Sequence, residues 1–200
     1  MNEKIKIFIV WAFLFYILLI VPILFFAHFK PFYEYNFEKD NVYEEVGDKV
    51  VDSALDNLLG FFYYRESLNN LWSEKEKLHF KDVKDIFLKS FIILATMLGF
   101  VYINKRVLFE NPKRFFIANM IAIVIIFVFV AIFFNFFWND IFHNILFSND
   151  LWIMNKDDLS YYIFGEDFFR RTSMWVFISF IVENIVLFGA ILLYNKKSLY

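Results

Sequence analysis

Four stretches of the chain stay apolar long enough to cross a bilayer: Ile7 to Ala27, Ile86 to Ile103, Phe115 to Trp138 and Ser173 to Tyr194. A helix spanning hydrocarbon needs about 20 such residues. The second stretch is the shortest, and Lys89 near its start can snorkel toward water. The pattern predicts an all-α membrane protein, a single membrane domain over residues 1–200 with four transmembrane helices. Two long connections, 28–85 and 139–172, change character. From Val42 to Tyr64, the residues Val46, Val50, Ala54, Leu58 and Phe61 or Phe62 recur on one helical stripe. From Ser73 to Phe87 the segment opens with SEKE, where Ser73 can cap a helix and Glu76 can close a capping box. That helix should run straight into the second span. Both connections hold too much Phe, Trp, Tyr and Ile to be linkers. They are expected to fold as an extracytoplasmic cap on the bilayer, with aromatic rings at headgroup level.

Composition agrees with this pattern. Of 200 residues, 60% are hydrophobic and 24% aromatic, which is too apolar for a soluble enzyme of this length. The first apolar run reads as an uncleaved span. It exceeds a signal-peptide core in length, and FFAHF offers no small-x-small cleavage site. With no cysteine in the chain, disulfides, thiolate zinc sites and cysteine acyl-enzymes are excluded. A net charge of −2 without a basic stripe gives no reason to expect nucleic acid. Charge also orients the spans. MNEKIK, NKRVLFENPKR and NKKSLY are short and basic, whereas acids outnumber bases in the two long connections. By the positive-inside rule both termini face the cytoplasm and the cap faces outward.

Three histidines carry the candidate chemistry. His28 directly follows the first span with no acid at helical spacing, as an interfacial side chain would. His79 stands between Glu76 and Asp82 at i, i+3 and i+6, so all three share one helix face. A neighbouring carboxylate can fix the imidazole tautomer and tune its pKa for general-base work. A solvated charged face is the other reading of the same spacing. His143 lies just past the outer end of the third span, near Asn149, Asp150 and Trp152, where a structural and a catalytic role are equally compatible with the pattern. Spans two and three are antiparallel, so His79 and His143 should reach the same depth. Two histidines with Asp82 or Asp150 could in principle bind zinc, although neither histidine has the local i, i+4 partner of a helical zinc motif. Ser148 lacks a nucleophile-elbow context. Glu183, mid-span in the fourth helix, is expected to be a packing carboxyl hydrogen-bonded to a neighbouring span.

The segments SEKEKLHFKDVKDIF and FHNILFSNDLWIMNKDDLSYYIFGEDFF together resemble the lipoprotein intramolecular transacylase family of small four-span bacterial membrane proteins. Glu76, His79, Asp82 and Val83 match its first pattern. Phe142, His143, Phe147, Trp152, Asp158, Leu159, Glu166 and Phe169 match its second. The chain departs from the pattern at Asn155, Lys156 and Gly165, where prolines are expected. The resemblance implies an enzyme that moves the sn-2 acyl chain of a diacylglyceryl lipoprotein onto the α-amino group of its N-terminal cysteine. His79 and His143 would be catalytic, supported by Glu76, Asp82, Asn149, Asp150, Trp152, Asp158 and Glu166. No cofactor or metal is implied. The partners would be the lipoprotein substrate and membrane lipids, with the enzyme a monomer. The contrasting readings are a non-catalytic membrane protein whose aromatic cap binds a protein or lipid, and a metal-dependent membrane hydrolase.

Overall fold

The computed structural model describes residues 2–197, and among these every regular element is helical. In order they are α1 (Glu3–His28), α2 (Lys30–Lys39), α3 (Val42–Val46), α4 (Asp48–Phe62), α5 (Glu74–Ile103), α6 (Lys105–Glu110), α7 (Pro112–Ile132), α8 (Phe134–Phe136), a π-helical turn (Phe137–Phe142), α9 (His143–Leu146), α10 (Leu159–Ile163) and α11 (Glu166–Lys197). Four helices, α1, α5, α7 and α11, are long and apolar enough to cross a membrane. The chain divides into two compact units. One holds residues 1–23, 89–132 and 174–200, and the other holds 24–88 and 133–173.

The first unit is a helical bundle. Val10, Leu14, Ile17 and Leu18 of α1 pack with Val101, Phe115, Ile123, Phe180 and Ile191. Phe127 stacks on Phe177 with ring centroids 3.9 Å apart, and Phe116 stacks on Phe188 at 4.7 Å. One buried polar pair joins α7 and α11: Asn119 Nδ2 donates to Asn184 Oδ1 at 3.1 Å, and Asn184 Nδ2 donates to the Phe116 carbonyl at 3.2 Å. The expected interhelical bond of Glu183 is therefore made by its neighbour Asn184. Outward-facing residues such as Ile92, Ile125 and Val186 are at least 60% exposed, a surface suited to hydrocarbon rather than water.

The second unit has its own core, in which Phe32, Phe37, Val51, Leu55, Leu58, Trp72, Phe80, Ile163 and Phe168 are buried together. Many polar groups inside it are paired. Asn57 donates to Glu66 and to the Ser67 carbonyl, and its Oδ1 accepts from Asn69 N–H and the Trp72 indole. The Arg171 guanidinium bonds Asn36 and Asp40.

Two sequence expectations are revised here. The helix over 42–64 is two helices, because Gly47 adopts φ +97° between α3 and α4, a conformation that Gly adopts without strain. The break shifts the buried stripe to Val51, Ala54, Leu55, Leu58, Leu59 and Phe62 and leaves Val50 exposed. The third apolar run does not continue as one helix to Trp138. It ends at Ile132, and the chain bends at Phe133. The residues beyond it are claimed by the second unit, where Arg170 lies 4.3 Å over the Phe134 ring and donates to Asn135 Oδ1. As expected, the capped helix before the second span runs straight into it, forming the single helix α5, whose residues 74–85 are rich in charge and whose residues 86–103 are mainly apolar.

Candidate active site

The charged start of α5 carries His79 and grips the segment after α9. Glu76 is completely buried. Its Oε2 accepts the Ser73 backbone N–H at 2.7 Å, and the Ser73 hydroxyl in turn accepts from Glu76 N at 3.3 Å, which makes a capping box. The other oxygen, Oε1, accepts both the backbone N–H (2.6 Å) and the hydroxyl (2.5 Å) of Ser160 in α10. Ser73 Oγ donates to Asp158 Oδ1 at 2.7 Å, Asn155 N–H donates to Asp158 Oδ2 at 2.8 Å, and Lys75 donates to the Ile153 carbonyl. Burial pushes the Asp158 carboxyl up, but the bonds from Asn155 and Ser73 and the Lys75 charge outweigh it and hold it below its usual range. One turn of α5 thus fixes the course of residues 153–160.

That clamp brings the two histidines together. The His79 ring centroid lies 5.0 Å from that of Phe147, and the His143 ring lies 5.8 Å from the same phenyl, nearly parallel to it. On its other neighbour, Trp152, His143 stacks at 4.1 Å with an interplanar angle of 18°. His143 is buried and opens α9 directly after the π-helical turn. This widened turn leaves the Trp138 carbonyl in reach of both the His143 backbone N–H and its Nδ1, at 2.6 Å from the latter. Since a carbonyl can only accept, Nδ1 carries the hydrogen, and Nε2 of the neutral ring keeps its lone pair. Such π-helical turns recur at functional sites.

Burial keeps both imidazoles neutral at pH 7. His79, which precedes the apolar stretch of α5, is pushed down to about 4. Burial is the main cause, the nearby His143 and Lys75 add to it, and Asp82 opposes it. His143 is lowered by burial, partly offset by its bond to the Trp138 carbonyl. Asp82 lies one turn beyond His79, and its Oδ2 accepts from Asn149 Nδ2 at 3.0 Å while Asn149 Oδ1 accepts the Leu151 N–H. Among the described residues, four buried side-chain nitrogen or oxygen atoms have no hydrogen-bond partner. Two of them, His79 Nδ1 and Trp152 Nε1, belong to this cluster.

The other sequence candidates fall differently. The Glu76 carboxylate holds the helix start and Ser160, so it does not orient the His79 ring. Asp158 serves the same clamp. Asp150 is exposed, and its carbonyl closes a turn with Ile153 N–H. Glu166 bonds Arg170 at the start of α11, outside the histidine cluster. His28 Nδ1 bonds the Leu24 carbonyl at 2.8 Å among Phe62, Tyr63 and Phe87. No group of three or more His, Asp or Glu among the described residues is arranged to hold a metal. Sequence reasoning missed Ser160 and the Trp138 carbonyl as site residues. Ser160 answers Glu76 from 84 positions away, and a backbone carbonyl has no residue type to signal it.

The family model described as lipoprotein intramolecular transacylase Lit matches residues 7–169. The chain belongs to that family. It is accordingly an enzyme, a multi-pass membrane transacylase, and the non-catalytic reading falls away. The fold agrees with the in meso structure of the membrane integral lipoprotein intramolecular transacylase Lit from Bacillus cereus, at 18% identity and a TM-score of 0.79 with 98% of each chain covered. A histidine-to-alanine variant of that transacylase matches at 17% identity and a TM-score of 0.76, covering 98% of this chain and 96% of the other. No curated protein sequence matches the chain.

Proposed function

We propose that this transacylase moves the sn-2 acyl chain of a diacylglyceryl lipoprotein onto the α-amino group of the lipoprotein's own N-terminal cysteine, with His79 and His143 as its acid–base pair. The observation that carries the reading is two neutral, desolvated imidazoles that both pack against the Phe147 ring, one of them locked in a single tautomer. The substrate supplies both nucleophile and ester, so the enzyme needs no serine or cysteine nucleophile, and proximity accounts for much of the rate.

Proton accounting explains why two bases are useful. An α-ammonium that becomes a secondary amide sheds two protons, while the departing glyceryl oxygen takes up one. In the proposed sequence His79 accepts the first proton, and the freed amine attacks the ester carbonyl. His143 Nε2 takes the second proton from the nitrogen of the tetrahedral intermediate, its imidazolium favoured by the Trp138 carbonyl on Nδ1. The C–O bond to glycerol then breaks, and the His79 imidazolium, a strong acid in its buried site, protonates the leaving oxygen. The proton left on His143 passes to solvent. Asp82, held by Asn149, offers a negative charge beside His79 for the incoming ammonium.

The proposed setting follows from charge. Basic short segments keep both termini in the cytoplasm, and residues 28–85 and 139–172 then form an outward-facing cap where a mature lipoprotein presents its amino terminus. The protein is proposed to act as a monomer. Expression in a bacterial strain lacking lipoprotein N-acylation, followed by mass spectrometry of a reporter lipoprotein's N-terminus, tests the reaction. The expected product is N-acylated with a single acyl chain left on glycerol. A reporter that stays diacylglyceryl with a free amine contradicts the proposal.

A further inference from the structure

The proposed sequence above leaves one charge without a partner, the oxyanion that forms when the amine adds to the ester carbonyl. Most hydrogen-bond donors around the histidines are engaged. The Asn149 amide is tied to Asp82, the Ser160 hydroxyl and N–H to Glu76, the Ser73 hydroxyl to Asp158, and the His143 Nδ1–H to Trp138. Apart from His79 Nδ1, on the proposed base, the Trp152 indole N–H is the exception. It is buried and has no partner among the described residues, and an indole nitrogen can only donate. An unpaired buried donor is costly, so a protein that keeps one beside a catalytic base stands to regain that cost when substrate arrives.

The ring geometry fits the same role. Indole and imidazole are stacked, 4.1 Å apart and within 18° of parallel, so the indole N–H lies in the immediate surroundings of the proposed base. The indole's place is fixed from the next residue onward, because the Ile153 carbonyl takes Lys75 and its N–H bonds Asp150. We infer that Trp152 is a catalytic residue whose indole N–H donates to the carbonyl oxygen of the migrating acyl group as that oxygen becomes an oxyanion. The inference rests on the two-histidine reading of the site. No proton leaves the indole: the C=O electrons move onto oxygen as the C–N bond forms, and they return when the C–O bond to glycerol breaks.

Trp152→Phe keeps an aromatic face against His143 and removes the donor. The expected result is a kcat lower by about 10²-fold, with KM within about two-fold and the acid limb of the pH–rate profile unmoved. Replacing Trp152 with benzothienylalanine, which has sulfur in place of the N–H and nearly the same shape, should give the same loss with thermal stability retained even where the Phe variant misfolds. Wild-type kcat in either folded variant overturns the inference. So does a loss accompanied by a shifted acid limb, which would mark Trp152 as only positioning His143. His143→Gln run in parallel separates the two levels. If it is inactive while the Trp152 variants are active, the indole assignment alone fails, whereas an active His143→Gln removes the two-histidine reading beneath it.

Discussion

The two units of this molecule handle polar groups in opposite ways. The bundle of residues 1–23, 89–132 and 174–200 has a core of aliphatic and aromatic side chains and joins α7 to α11 through the amide pair Asn119–Asn184. The unit of residues 24–88 and 133–173 threads carboxylates, amides, a guanidinium and two imidazoles through an equally apolar core. In lipid there is little hydrophobic drive between helices, and tight packing with an occasional hydrogen bond suffices to hold them. Chemistry on a charged amine and an ester needs fixed, desolvated polar groups, each satisfied except those awaiting substrate. In the proposed mechanism, catalytic precision in one unit depends on its polar clamp, and the other unit is largely indifferent to its own polar pair.

The comparison breaks most visibly at Glu76. Glu76→Ala leaves two backbone N–H groups and a hydroxyl without their acceptor in a buried site. It is expected to cost about 3 kcal/mol of stability, measured by unfolding in detergent. It should also lower acyl transfer by about 10²-fold as residues 153–160 lose their anchor.

A smaller effect is expected from pH. His79 is depressed in the folded state, so between its ordinary value of 6.5 and about 4 the unfolded chain binds more protons than the folded one. The stability of the neutral, buried ring is thus fully present above pH 6.5 and is lost as pH falls toward 4. Activity should fall over the same interval as the bases become protonated. His79→Gln should flatten the stability slope there, which a melting-temperature series from pH 7 to 4 will show. The smallest effect belongs to the bundle. Asn119→Leu is expected to cost about 1 kcal/mol or less and to leave acyl transfer unchanged, and a large loss of activity would contradict the division of labour between the units.

Much of this was legible in the chain before any fold was known. Four apolar runs imply four spanning helices because lipid tolerates little else, and SEKE at 73–76 reads as a helix start that the structure bears out. What was hidden depends on contacts distant in sequence. An unbroken apolar run gave no sign that the chain would bend at Phe133, and the residues just past the bend are engaged by Arg170 from far along the chain. Spacing placed Glu76 on the face of His79, yet the carboxylate turns to Ser160 because a buried capping carboxylate takes every donor in reach. Gly47 showed the reverse case, a local residue whose left-handed conformation shifts the buried stripe of a whole helix.

The central claim is that His79 and His143 act together on the migrating acyl group. Its most direct test is the N-terminal acylation state of a reporter lipoprotein, read by mass spectrometry, in cells whose only N-acylating enzyme is His79→Gln or His143→Gln. Each single variant is expected to fold with near wild-type thermal stability at pH 7 and to lose about 10²–10⁴-fold of its transfer rate, leaving the reporter amine free. Full N-acylation by either variant would contradict the account.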